Sequence, residues 1–164
     1  MGQCITRFTY TSGRTGKNVR NIPDNINPRD LDNFVPRLTG GRVIKCYDGD
    51  TITIAAYLPY KESELYKFSV RVNGIDCPEI KGKTPSEKTC AQIAKTAVEG
   101  KILHKMVRLE NVSTEKYGRL LADVIIDDCS IGPWLVEQRL AVQYEGKTKV
   151  CPDDWMEYYK GTRV

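Results

Sequence analysis

From Arg42 onward the chain breaks into short β-branched runs separated by turn residues, and one long helical stripe interrupts them after the third run. Residues 43–46 form a first strand that stops at the turn sequence Tyr47-Asp48-Gly49-Asp50. Residues 51–57 are β-branched and alternating, which predicts a second strand. After a loop around Pro59 and the charged Lys61-Glu62-Ser63-Glu64 comes the clearest two-residue period in the chain. Phe68, Val70 and Val72 face one way, and Lys67, Ser69, Arg71 and Asn73 the other. Gly74 ends that run and Pro78 prevents easy continuation. Thr84-Pro85-Ser86-Glu87 then carries three helix-start signals: a cap, a proline suited to the first turn and an acid that completes a capping box. Cys90, Ile93, Ala94 and Ala97 continue it as an apolar stripe, which Gly100 weakens or ends. Residues 106–112 and 120–127 predict two further strands, Pro133 opens a helix through Leu140, and residues 153–159 suit a short third helix.

Three strands, a helix, two strands and a helix leave no βαβ alternation, so a doubly wound parallel sheet is disfavoured. The fold class expected is a β-rich α+β domain built on a five-stranded barrel of the oligonucleotide-binding (OB) type, with C-terminal helices. With 164 residues there is room for one such domain and a tail. The charge splits the same way. Residues 1–42 hold seven Lys/Arg and three Asp, the whole of the net +4, and the remainder balances 18 basic against 18 acidic residues. The first 41 residues therefore read as a basic extended arm, either a solubilising tail or a docking segment, and residues 42–164 as the domain. No apolar stretch is long enough to span a bilayer, and no secretory signal is expected. Six scattered cysteines with one histidine make a zinc site improbable. Reduced thiols are the default, with Cys77 and Cys90 the least implausible disulfide pair.

Asp50, Asp76, Glu79 and Arg119 sit at strand ends, where barrels place function, and Arg71 lies on the polar face of the third strand. Carboxylates alone offer hard oxygen ligands, which suit Ca²⁺ or Mg²⁺. Asp48-Gly49-Asp50-Thr51, then Arg71-Val72-Asn73-Gly74-Ile75-Asp76-Cys77-Pro78-Glu79, then Lys116-Tyr117-Gly118-Arg119 occur in that order, followed more weakly by Leu140-Ala141-Val142-Gln143-Tyr144. In these segments residues 43–146 resemble the staphylococcal nuclease-like (thermonuclease) domain family.

The resemblance implies a calcium-dependent nuclease acting on DNA or RNA with little sequence preference, leaving 5′-hydroxyl and 3′-phosphate ends. It assigns the Ca²⁺ ligands to Asp50, Asp76 and the backbone carbonyl of Cys77, the general base to Glu79 and the phosphate-binding arginines to Arg71 and Arg119. Lys116, Tyr117 and Tyr144 fall at positions that contact nucleic acid. Cys77 departs from the family's threonine, which leaves the proposed carbonyl ligand in place but puts a thiol beside the site, open to oxidation. The alternative is a binding or structural module that keeps the barrel and docks through its arm. Met1-Gly2-Gln3-Cys4-Ile5-Thr6 fits N-myristoylation at Gly2 with palmitoylation at Cys4, so membrane association is expected as a second property. Family members with acylated N-termini occur in plants and in large DNA viruses, which makes proteins of a larger assembly such as a virion a further class of partner.

Overall fold

Alternation in two neighbouring runs puts Ile52, Ile54, Val70 and Val72 on one side of a strand pair, and all four are buried. In the computed structural model, which describes residues 24–115, 118–146 and 150–161, those runs are β2 (Thr51–Tyr57) and β3 (Leu65–Val72), paired antiparallel from Thr51↔Arg71 to Tyr57↔Leu65. β1 (Gly40–Cys46) pairs antiparallel with β2 and with β5 (Met106–Thr114), and β5 pairs with β6 (Leu120–Ile126). A parallel contact between β3 and β6, with Val70↔Leu120 and Val72↔Ala122, closes these five strands into a barrel. The expected OB-type barrel is the one observed.

Two-residue strands complete the sheets. β4 (Ile75–Asp76) pairs with β8 (Val142–Gln143), and β7 (Cys129–Ser130) adds to β6. Pairings this short leave no periodic trace in a sequence, so they could not be read there. α1 (Pro85–Ile102) starts where the capping signals place it, with the Glu87 N–H donating to Thr84 Oγ1 at 3.1 Å. It runs through Gly100 instead of ending there, because Val98 and Ile102 on either side are fully buried. That burial outweighs the roughly 1 kcal/mol that an interior glycine costs.

α2 (Ile131–Glu137) begins two residues before Pro133, which sits in the first turn where a missing N–H removes no helical bond. α3 (Trp155–Lys160) is capped by Asp154 and packs Trp155 into the core. The core is continuous from Leu38 to Trp155, and it joins the barrel interior to the inner faces of α1 and α2.

The chain divides into two units, Met1–Asp32 and Asn33–Val164. The described part of the first holds one 3-10 turn, Pro28–Asp30, capped by Asn27. Gly2 and Cys4 lie outside the described residues. Among the described residues, no helix is long and apolar enough to cross a membrane. The five described cysteines are free, so the Cys77–Cys90 disulfide is not formed.

Candidate active site

The turn between β1 and β2 is the first piece of the site. Gly49 lies so close to α1 and β4 that a Cβ on it would stand 2.8 Å from Cys77 Sγ and 3.0 Å from Ala94 Cβ. Only glycine lets this turn press against the core, and the result is that Asp50 is carried inward and left only 3% exposed. Its Oδ1 accepts from Thr51 Oγ1 at 2.9 Å, and its Oδ2 accepts from the Cys77 N–H at 3.3 Å. β4 delivers Asp76, 5% exposed, beside it.

Arg71, near the end of β3, joins the two. Its Nη1 lies 2.8 Å from Asp50 Oδ2, and its Nη2 donates to Asp76 Oδ1 at 2.8 Å. The side chain is 16% exposed. Burial works against the charged guanidinium, but Asp50, then Asp76 and Glu115, outweigh it and hold Arg71 more firmly protonated than an ordinary arginine.

Burial dominates at Asp50, pushing its pKa up to about 7 against the opposing pull of Arg71. A nearby acid, Asp48, adds to that push, and Asp48 Oδ1 is itself buried and accepts no hydrogen bond. The place is thus short of positive charge: Asp50 and Asp76 share one guanidinium that is also drawn toward Glu115, and Asp48 adds a third carboxylate close to Asp50.

Glu115 is the residue that sequence reasoning missed. It closes the β5–β6 hairpin, its N–H donating to the Arg119 carbonyl at 2.9 Å. Gly118, at φ +80, donates back to the Glu115 carbonyl at 2.9 Å. The Glu115 carboxylate then takes both arginines in hand. Oε2 accepts from Arg119 Nε at 2.9 Å and lies 2.8 Å from Arg119 Nη2, while Oε1 stands 3.7 Å from Arg71 Nε. The signal was an acid and an arginine on opposite sides of a glycine turn, which a hairpin brings face to face.

Arg71, Asp76, Glu79, Glu115, Arg119 and Tyr144 line a single groove of about 1010 Å³. Glu79 is exposed there. Its loop is tied to the start of α1 through Glu87, which accepts from the Lys83 N–H at 2.9 Å and from the Glu79 N–H at 3.4 Å. The capping acid therefore reaches past the cap and anchors the segment that carries Glu79. Tyr144 is held by its N–H donating to the Gly74 carbonyl at 2.9 Å. Lys116 and Tyr117 lie outside the described residues.

Cys77 departs from expectation. Its thiol is buried and raised well above the ordinary thiol range, first by burial and then by Asp50, Asp48 and Asp76. A neutral, inaccessible thiol is inert, so the oxidation sensitivity anticipated from its position is not supported.

The donor set suits a hard divalent cation. It offers the buried carboxylates of Asp50 and Asp76 as hard oxygen donors, beside a Cys77 thiol that stays neutral. Among the described residues no three His, Cys, Asp or Glu side chains form a metal cage by themselves. Asp50 and Asp76 are two carboxylate donors, and any backbone or substrate oxygen is additional to them.

A five-stranded OB-type barrel with an acidic and basic groove beside its third strand defines the class of molecule. Residues 69–161 match the family model of the staphylococcal nuclease homologues. The chain is also 30% identical over 159 residues to a probable endonuclease of Schizosaccharomyces pombe, an alignment covering 82% of this chain and 69% of that protein. The chain belongs to the staphylococcal nuclease homologue family.

Proposed function

We propose that this protein is a nuclease that hydrolyses phosphodiester bonds of DNA or RNA with little sequence preference. The observation that carries the reading is the gathering of Arg71, Arg119, the buried Asp76 and the exposed Glu79 on one groove, with the buried Asp50 paired to Arg71. A phosphodiester is already anionic, and attack adds charge to its oxygens. Arg71 and Arg119 present planar forks that match those oxygens and are fixed beforehand by Asp50, Asp76 and Glu115. A lysine at either position keeps the charge but loses the fork.

Glu79 accepts the proton of the attacking water, a role that suits a carboxylate facing the open groove. Tyr144, with Lys116 and Tyr117, contacts the nucleotide. Asp50, Asp76 and the Cys77 carbonyl would hold a Ca²⁺ ion, whose charge, when bound, offsets that of the phosphate. The products carry 5′-hydroxyl and 3′-phosphate ends. Acylation at Gly2 and Cys4 is proposed to tether the enzyme to membranes, and Gly2→Ala should shift it to the soluble fraction. An unchanged distribution would contradict the tether.

The test is digestion of single-stranded DNA by purified protein, first with Ca²⁺ and then with chelator. Cleavage with Ca²⁺, lost on chelation and yielding 3′-phosphate ends, is expected. A folded protein that cleaves nothing with any divalent cation would instead be a module that docks without catalysis.

A further inference from the structure

The reaction groove does not end at Glu115. On the other side of that residue lies a second groove of about 500 Å³, lined by Phe34, Lys67, Phe68, Ser69, Thr114 and Gly118 together with Glu115 itself. It exists because β3 outruns its partner. The parallel pairing with β6 covers only Val70, Arg71 and Val72, so among the described residues β3 from Leu65 to Ser69 has no partner strand on that side.

The surfaces of this groove are specific in kind. Phe34 is 79% exposed, a large apolar surface open to solvent. Phe68 is half-buried, packed on the core beneath. Tyr66, 41% exposed, meets Phe68 edge-to-face at 6.5 Å, and so extends the aromatic surface along the strand. Lys67 is exposed and shares the outward face of β3 with Ser69 and Arg71. Two cations four residues apart on one strand face stand about 13 Å from each other. Glu115 between the grooves is engaged by Arg119, whose Nη2 lies 2.8 Å from its Oε2.

We infer that this groove is a distal subsite for single-stranded nucleic acid, in which a base stacks on the exposed Phe34 while Lys67 takes a backbone phosphate. The occupant is the continuation of the strand whose scissile phosphate lies between Arg71 and Arg119, so the inference rests on the nuclease reading. The two grooves share Glu115, and the second combines an exposed aromatic ring with a cation, a pairing that suits a polynucleotide. A duplex is disfavoured because its bases are not available to stack.

The experiment compares an oligothymidylate of about twelve nucleotides with thymidylyl-thymidine, which has no further strand beyond the nucleosides flanking its one phosphate. Both altered residues are exposed, so Phe34→Ala combined with Lys67→Ala leaves the core untouched. The ratio of kcat/KM for the long over the short substrate should fall by about tenfold or more, the scale of one lost stacking contact. An unchanged ratio overturns the inference.

A binding arm separates this outcome from failure of the nuclease reading. In chelator, fluorescence of Phe34→Trp should be quenched by the oligothymidylate and not by the dinucleotide. Quenching without hydrolysis under any condition would retain the subsite and remove the nuclease. Hydrolysis of both substrates without quenching, and with an unchanged ratio, would retain the nuclease and remove the subsite. Phe34 that instead becomes covered as protein concentration rises would mark a contact between copies of the chain, and would also overturn it.

Discussion

Two arginines on this barrel each sit between acids, and the settings could hardly differ more. Arg108 contacts Glu110 and stands 3.8 Å from Asp128, with half of its side chain exposed and Asp128 fully in solvent. Arg71 contacts Asp50 and Asp76 with side chains that are 4% and 7% exposed. A pair in water gains little, because screening and side-chain entropy offset its attraction. A buried pair has given up its hydration, and it is rarely the most stable solution available for that volume. The barrel carries such a cluster at one groove and nowhere else among the described ion pairs, while Ile52, Ile54 and Val72 show what ordinary packing looks like in the adjacent interior. The Arg71 cluster is thus a buried concentration of charge, for which the proposed reaction supplies a reason, whereas the Arg108 pairs are a solvated surface.

Removing the buried cation should produce the largest effect. Arg71→Ala leaves Asp50 and Asp76 facing each other without compensation, and should lower stability by about 3–5 kcal/mol in urea unfolding. A loss below about 1 kcal/mol would mean the cluster is solvated like its surface counterpart. Glu79→Gln comes next. Glu79 is exposed, so the fold should be unaffected while turnover drops by at least about 100-fold. Unchanged turnover would remove Glu79 from the mechanism.

Protonation separates the two settings further. In metal-free protein the Asp50 carboxyl is raised from an ordinary 3.8 to about 7 by burial. Between those values the folded state keeps a proton that the unfolded chain has released, so the contribution of Asp50 is fully present below 3.8 and is lost as pH rises through about 7. Chelator-treated protein should therefore lose stability from pH 5 to pH 8 relative to Asp50→Asn, and Ca²⁺ should restore it at the upper end. Parallel pH curves for the two proteins would contradict this. The smallest effect belongs to Arg108→Ala, expected to change stability by no more than about 1 kcal/mol.

Much of the barrel was legible because its determinants are local. The β2 run of Thr51–Tyr57 and the Thr84 cap with Pro85 behind it are written in consecutive residues, and both appear where their patterns place them. The gathering of Arg71 with Asp50 and Asp76 was not derivable from periodicity, since it depends on β2–β3 register and on the inward turn at Gly49. It came instead from the order of motifs shared with a family. Glu115 escaped both routes. Nothing marks an acid as functional until the hairpin folds it between two arginines. The far ends of the elements were the least legible, as α1 shows by passing through Gly100, because burial of the next helical turn decides them.

The groove lined by Arg71 and Arg119 is the proposed phosphodiesterase centre. Its most direct test is the Ca²⁺-dependent cleavage rate of Arg119→Gly on single-stranded DNA beside that of Arg108→Ala. Loss of one guanidinium fork at the reacting phosphate should slow Arg119→Gly by about 100-fold or more, with Arg108→Ala close to the parent protein. Equal rates in the two variants would contradict the account.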